Sequence, residues 1–151
     1  MFKLGLNLVI VPSEDELFRI MTTVVRLSKG SVVSLLASHY LSLKVAYTLG
    51  REGRNFYMIK AGENVIRATV IFTGYLARRD VGMGVIDNLV VHLRSSAHPK
   101  WTHRELSFIT ALIRWASLES GKPSVWVVTS NEGGLFLKRM GGLLDQVIYA
   151  L

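Results

Sequence analysis

Apolar and polar positions follow the clearest pattern in the second half of the chain, from Gly84 to Leu151. Three apolar runs there have the length and β-branched content of strands, and two segments have apolar residues at helical spacing. The first of these helices ends at Gly121, Lys122 and Pro123, because proline cannot continue a helix and glycine accepts a left-handed cap. The pattern predicts a strand Val85–Leu93, a loop Arg94–Trp101, a helix Thr102–Ser120, a strand Ser124–Thr129, a helix Glu132–Met140 and a strand Leu144–Leu151. This βαβαβ order predicts a sheet covered by helices, with ligands at the carboxyl ends of its strands.

The first half of the chain is less regular. It begins with a predicted strand, Lys3–Val11, which Pro12 ends. Ser13 and Glu16 have the spacing of a capping box, in which each side chain satisfies a backbone N–H at the start of a helix. The other segments are predicted as a helix from Ser13 to about Ser28, a helix from Ser31 to about Tyr40, an ambiguous stretch Leu41–Leu49, a hairpin of strands Phe56–Lys60 and Val65–Thr73, and a polar loop Tyr75–Gly84.

Length and composition bound the class of protein. The 151 residues predict a single domain, 1–151, with one sizeable core. Half of the residues are hydrophobic and the mean hydropathy is +0.33, which predicts apolar surface in a ligand cleft or a homodimer interface. The absence of cysteine excludes a disulfide framework, a thiol nucleophile and a Cys-ligated zinc. Ser31–Gly50 is the most apolar candidate span, but it contains His39 and Lys44, so no membrane span is predicted and a cytoplasmic location is expected.

The charge of the chain points to polyanionic partners. The formal net charge is +7 and the sequence pI is about 10.0. This balance favours a nucleotide cofactor, nucleic acid or an acidic protein surface. The basic residues form small clusters rather than a continuous stripe, so nucleic acid stays open as a partner without a specific motif.

Several common sites are absent from the sequence. It has neither the Gly-x-Ser-x-Gly turn of a serine hydrolase nor the Gly-x-x-x-x-Gly-Lys-Ser/Thr phosphate loop. His92, His98 and His103 are six and five residues apart through a strand and a loop, which is not a metal-ligand spacing. No metal site is therefore predicted.

Three segments resemble motifs of the GNAT (Gcn5-related N-acetyltransferase) superfamily. Residues 86–91 (IDNLVV) are similar to its central strand, 98–101 (HPKW) to the beginning of its cofactor loop, and 135–141 (LFLKRMG) to the end of its short helix. The resemblance implies an α/β fold with a mixed sheet of about six to seven strands and about four helices, in the order β-α-α-β-β-β-α-β-α-β. The compact size and loose motifs are most similar to GNAT-like proteins of tailed bacteriophages.

The resemblance implies transfer of an acetyl or related acyl group from acyl-CoA, as cosubstrate, to an amine on a protein or small molecule. Asp87 would act as general base, and Tyr149 is a candidate acid because Leu137 stands where the family has a tyrosine. The loop and helix start would bind phosphates through backbone N–H groups and the helix dipole. The implied cofactor-binding residues are Leu89, Val90 and Val91 on the strand, Lys100, Trp101, Thr102, His103 and Arg104 at the loop and helix start, and Asn131 before the short helix.

Departures from the family pattern support a second hypothesis. His103 and Glu105 occupy the positions where the family's cofactor loop has small residues, and the tyrosine is absent. A catalytically inactive GNAT-shaped binding protein fits these departures; it would be phage-encoded, act in the host cytoplasm and engage a host protein, a virion component or DNA. A base-modifying enzyme acting on DNA is a third hypothesis.

Overall fold

The computed structural model describes residues 2–36, 39–60, 64–87 and 99–150. Strands and helices alternate through these ranges. The strands are Gly5–Val11 (β1), Ser31–Leu36 (β2), Phe56–Lys60 (β3), Val81–Asp87 (β4), Pro123–Thr129 (β5) and Gln146–Tyr149 (β6). The helices are Leu17–Arg26 (α1), His39–Gly50 (α2), Val65–Leu76 (α3), Pro99–Ser120 (α4) and Ser130–Met140 (α5), with single 3-10 turns at Glu14–Glu16 and Gly141–Leu143.

All six strands are parallel and form one sheet in the order β3-β2-β4-β5-β1-β6. Parallel neighbours need a crossover connection, and in this chain a helix follows each of the first five strands. Every helix therefore begins at the carboxyl edge of the sheet and ends at the amino edge. The connections that lead from a strand to a helix therefore lie at the carboxyl edge, and those that lead from a helix to a strand lie at the amino edge. The candidate site is formed by connections of the first kind.

The helices cover both faces of the sheet. α1 and α2 pack on one face, where Met21, Val25 and Leu49 meet alternate residues of the central strands. α3, α4 and α5 pack on the other face in a larger cluster that contains Phe72 and Ile113. Strands buried on both faces lose the apolar–polar alternation, as the seven buried residues of β1 illustrate.

The mixed GNAT-like sheet predicted from sequence is wrong, and two segments explain the error. Ser31–Leu36, predicted as the start of a helix, is the central strand β2, because a short apolar run buried on both faces has no period that separates strand from helix. Val65–Thr73, predicted as the second strand of a hairpin, belongs to helix α3. Its β-branched residues favour a strand locally, but the Asn64 side chain accepts from the Arg67 N–H at 2.9 Å and caps a helix whose inner face is buried.

The elements predicted for the second half are confirmed in type and order within the described residues. β5, α5 and β6 lie within two residues of their predicted starts. The long helix begins at Pro99 rather than Thr102, so Lys100 and Trp101 lie in its first turn and not in a loop. The predicted strand Val85–Leu93 corresponds to β4 up to Asp87, and its remainder lies outside the described residues. None of the described helices is long and apolar enough to cross a membrane.

Side chains at the amino edge hold the ends of the helices. The Arg54 guanidinium donates to the backbone oxygens of Val25, Arg26 and Ser28 at 3.0–3.2 Å, where α1 ends. The Lys122 ammonium likewise donates to the Leu76 and Arg78 oxygens, where α3 ends. Cations next to the last carbonyls of a helix satisfy acceptors that the helix itself leaves open.

A carboxylate ties the start of β1 to α4. Asp145 accepts from the Leu6 N–H at 2.8 Å and from two nitrogens of Arg114, each at 3.1 Å. Burial opposes ionisation of Asp145, but the hydrogen bonds from Arg114 and from the Leu6 N–H leave its pKa lowered. Gly5 is required beside it, because its φ is +96° and a Cβ there would lie 2.1 Å from the Asp145 Oδ2.

Candidate functional site at the carboxyl edge of the sheet

The strand order marks crevices at the carboxyl edge, one between β1 and β5 and one between β2 and β4, and the connections that line the first are described. β1 and β5 are neighbours, but β1 leads to α1 on one face of the sheet and β5 leads to α5 on the other. Adjacent strands whose connections leave in opposite directions form a switch point, and in open α/β sheets ligands bind outside the carboxyl ends of the strands at such a point. The connections that line the crevice between β1 and β5 are residues 12–16 after β1 and the junction of Thr129 and Ser130 after β5.

The connection after β1 carries three carboxylates and no cation. It consists of Pro12, Ser13, Glu14, Asp15 and Glu16, and all but Glu16 are exposed. The predicted capping box is absent, since Ser13 makes no side-chain cap hydrogen bond. Glu16 instead accepts from the Arg19 Nε at 2.7 Å, one turn further along the helix.

Ser130 links the two connections of the switch point. Its hydroxyl donates to the backbone oxygen of Pro12 at 3.0 Å, which joins the start of α5 to the residue that follows β1. The end of β1 and the end of β5 are also in register, with Val11 opposite Thr129. The floor of the crevice is therefore fixed by backbone pairing and one side-chain hydrogen bond.

Asp87 ends β4 beside this crevice and is completely buried. It lies opposite Val127 of β5, whose side chain belongs to the cluster under α1 and α2, so Asp87 points to the face that α1 covers. Neither of its carboxylate oxygens has a hydrogen-bond partner in the part of the chain that the structure describes. Burial, with a further contribution from the negative charge of Glu14, raises the pKa of Asp87 to about 7.

The described residues fit a phosphate group poorly at this crevice. A phosphate-binding loop needs glycines that let the backbone approach and a lysine or helix N-terminus that offers positive charge. Residues 12–16 contain neither glycine nor lysine, and their three carboxylates would repel an anion. Within the described ranges there is also no group of three side chains of the kind that hold a metal ion.

The two residues predicted to act as base and acid are far apart. Tyr149 lies on β6, exposed by 60%, opposite Ile10 of the larger cluster. β5 and β1 separate its strand from that of Asp87, and the two side chains point to opposite faces of the sheet. At about 4.8 Å between strands, the separation is on the order of 14 Å, too long for direct cooperation.

The other predicted site residues do not converge in the described structure. Leu89, Val90 and Val91 lie outside the described residues. Lys100, Trp101, Thr102 and His103 occupy the first turns of α4, and only their backbone is described. Arg104 and Asn131 are exposed in the first turns of α4 and α5.

Sequence patterns did not reveal how charge is distributed over the two edges. Six exposed cations lie at the amino edge with no ion pair or side-chain hydrogen bond described for them: Lys3, Lys29, Arg51, Arg79, Lys138 and Arg139. Three acidic side chains at this edge, Glu52, Asp80 and Asp145, are paired with arginines. In the described ranges, Glu119 at the end of α4 is the one acid at this edge without such a partner. Alternating strands and helices bring these distant basic clusters to a single edge.

The fold is that of a recombinase structure rather than that of an acetyltransferase. No protein-family model matches the sequence, and no curated protein matches it. Among solved structures, the chain is similar to the RadB recombinase with a TM-score of 0.55 at 13% identity. The alignment covers 83% of this chain and 61% of the recombinase chain. At this identity the likeness shows the fold alone, and in this chain that fold has an all-parallel sheet.

This fold overturns the interpretation based on the GNAT resemblance. An acyltransferase of that family would have a mixed sheet, so the acyl transfer, the acetyl-CoA cosubstrate and the GNAT-shaped binding protein are all wrong. The narrower resemblance to bacteriophage proteins fails with them. The segments 86–91 and 135–141 resembled that family because a buried strand and a short helix ending in glycine occur in many α/β folds.

Proposed function

We propose that this domain binds nucleic acid through the basic amino edge of its sheet and does not hydrolyse a nucleoside triphosphate at its switch point. The RadB recombinase, to which this chain is similar in fold, gives a precedent for nucleic acid as the partner of such a fold. The observation that carries the proposal is the set of six exposed cations at the amino edge that form no ion pair within the described residues, opposite an acidic connection at the carboxyl edge.

Physical reasoning favours a phosphate backbone as the partner of this edge. Arg54 and Lys122 are occupied by helix-end carbonyls, so the remaining cations are the ones available to an external anion. Lys29, Arg51 and Arg79 come from three successive connections, which places them along the edge rather than in one spot. An extended polyanion contacts such a row better than a compact ligand does, and each contact releases counterions from the nucleic acid.

Binding to labelled DNA at increasing salt tests this proposal. The variant Lys29→Gln/Arg51→Gln/Arg79→Gln removes three cations of the amino edge. Its matched control, Lys60→Gln/Arg67→Gln/Arg104→Gln, removes one lysine and two arginines that are exposed near the opposite edge. We expect the first variant to lose about tenfold or more in affinity and to lower the slope of log K against log salt by about two to three on duplex DNA. Equal losses in both variants, or no binding by the parent protein, would contradict the proposal.

A second measurement tests the proposal that no nucleoside triphosphate is hydrolysed at the switch point. A ligand that binds the folded state raises the unfolding midpoint, so millimolar Mg-ATP provides a direct test. We expect no change in midpoint, because residues 12–16 offer three carboxylates where phosphates would lie. A rise that Glu14→Gln alters would indicate a nucleotide at the switch point and would overturn this part of the proposal, whereas a rise that Glu14→Gln leaves unchanged would indicate binding elsewhere.

A further inference from the structure

Asp87 combines two properties that rarely occur together in one side chain. It is fully buried, and both of its oxygens are without a hydrogen-bond partner. Buried carboxylates in proteins are normally hydrogen-bonded or paired with a cation, since leaving one unsatisfied destabilises the fold. The position of Asp87 at the carboxyl end of a central strand, next to the switch point, makes a ligand the natural source of the missing partner.

The surroundings of Asp87 determine the charge of that ligand. Glu14 lies close enough to act electrostatically on Asp87, and Asp15 is exposed beside it. Two cations are described next to this connection: Arg19 is held by Glu16, and Lys44 lies over the ring of Phe18. Three carboxylates without a described cationic partner therefore face the crevice, from the turn after β1 and from the end of β4.

We infer that this crevice accepts a positively charged side chain, an arginine or lysine, of a protein partner, with Asp87 as its buried counter-ion. The inference concerns the edge opposite the proposed nucleic-acid surface and does not depend on that function. A guanidinium or ammonium group can be held by one buried carboxylate through charge-assisted hydrogen bonds. A divalent metal ion fits less well, because it needs more oxygen ligands than the described residues bring together.

Such a contact has recognisable features. Glu14 and Asp15 are exposed and would attract the cation, whereas Asp87 would hold it in a site without water. Asp87 has no accessible surface, so a partner side chain reaches it only after the surrounding residues are displaced. Association should therefore be slower than for a preformed surface patch.

The test uses a blocked tetra-arginine peptide and the neutral analogue in which citrulline replaces each arginine. Binding to the full chain is measured by calorimetry at pH 8, for the parent and for Asp87→Asn, Glu14→Gln and the control Glu119→Gln. We expect the arginine peptide to bind and the citrulline peptide not to bind. Asp87→Asn should weaken binding about tenfold or more, Glu14→Gln about threefold, and Glu119→Gln, at the opposite edge, not measurably.

Four results would overturn the inference: no binding of the arginine peptide, equal binding of the citrulline peptide, equal weakening by Glu119→Gln, or displacement of the peptide by magnesium or manganese with the same dependence on Asp87.

Asp87→Asn removes a buried charge, so loss of the fold is not expected, and a thermal melt of each variant verifies this. The Lys29→Gln/Arg51→Gln/Arg79→Gln variant should bind the peptide as well as the parent does. Failure of DNA binding and failure of peptide binding are therefore distinguishable.

Discussion

At the amino edge of the sheet, the charged side chains nearest the core form hydrogen bonds with backbone groups. At the carboxyl edge, the buried side chain of Asp87 forms no such hydrogen bond with the described residues. Asp145 and Asp87 are both aspartates next to central elements, yet Asp145 accepts three hydrogen bonds and has a lowered pKa, and Asp87 accepts none and has a raised pKa. The amino edge is therefore built to stabilise the fold. The carboxyl edge retains a buried charge that weakens the fold, as is common at functional sites.

Replacing Asp87 gives the largest effect that we expect. Its pKa rises from 3.8 to about 7 on folding, so the folded chain holds a proton that the unfolded chain releases between these values. The stabilisation of the parent is fully present below pH 3.8 and is lost as the pH rises through about 7. Asp87→Asn should therefore raise the free energy of unfolding at pH 8.5 by up to about 4 kcal/mol. Urea denaturation at pH 8.5 and pH 3.5 measures this, and an equal difference at both pH values would contradict the assignment.

Replacing Asp145 should lower the free energy of unfolding, whereas replacing Asp87 should raise it. Asp145→Ala removes the acceptor of the Leu6 N–H and leaves Arg114 without its partner. The expected loss is about 3 kcal/mol at neutral pH, since one buried donor and one charged group lose their hydrogen bonds. Because the pKa of Asp145 is lowered in the folded state, its contribution is present above its ordinary pKa and disappears as the pH falls through the folded value. The difference between the parent and the variant should thus shrink as the pH falls through that value in the same urea experiment.

Arg54 gives a smaller and pH-independent effect. Arg54→Ala removes the three hydrogen bonds that hold the end of α1, and the expected loss is about 2 kcal/mol because the guanidinium is partly exposed. Arg54→Lys is the matched control, since an ammonium group cannot reproduce the planar fork that reaches three carbonyls. Thermal unfolding should place the lysine variant between the parent and the alanine variant. If alanine and lysine are both neutral, helix-end capping does not contribute to the stability of this edge.

The sequence predicted the elements after Gly84 well, because the apolar spacing there agrees with the local propensities. The prediction was wrong at Ser31–Leu36, where burial on both faces of the sheet determines that the segment is a strand. It was also wrong at Val65–Thr73, where burial of one helix face determines that the segment is a helix. These two segments determine whether the strands are parallel: with a turn at residues 61–64 the chain forms a hairpin, and with helix α3 it crosses over. The direction of the strands, and hence the fold family, could not be read from local pattern alone.

The candidate site was predictable only in part. Asp87 stood out in the sequence as a carboxylate within an apolar strand. The predicted strand Val85–Leu93 put it near the start of the strand, whereas the structure places it at the carboxyl end of β4. Its lack of partners depends on what β5 and the connection after β1 bring next to it, and those residues are distant in sequence. Of the acidic residues Glu14–Glu16, Glu16 was predicted to cap a helix together with Ser13, because that motif is local. Their place beside the switch point follows only from the strand order.

The position of β1 in the sheet has a consequence for how the protein is made. Its seven residues are all buried, and its two neighbours, β5 and β6, begin at Pro123 and Gln146. During translation this apolar segment leaves the ribosome before either of its partner strands, and it has no native neighbour in the sheet until Pro123–Thr129 has emerged. A nascent chain with such long-range pairing folds slowly, and until it folds it exposes an aggregation-prone apolar segment. The yield of folded protein in cells should therefore depend on chaperones more strongly than the yield of a helical bundle of equal length does.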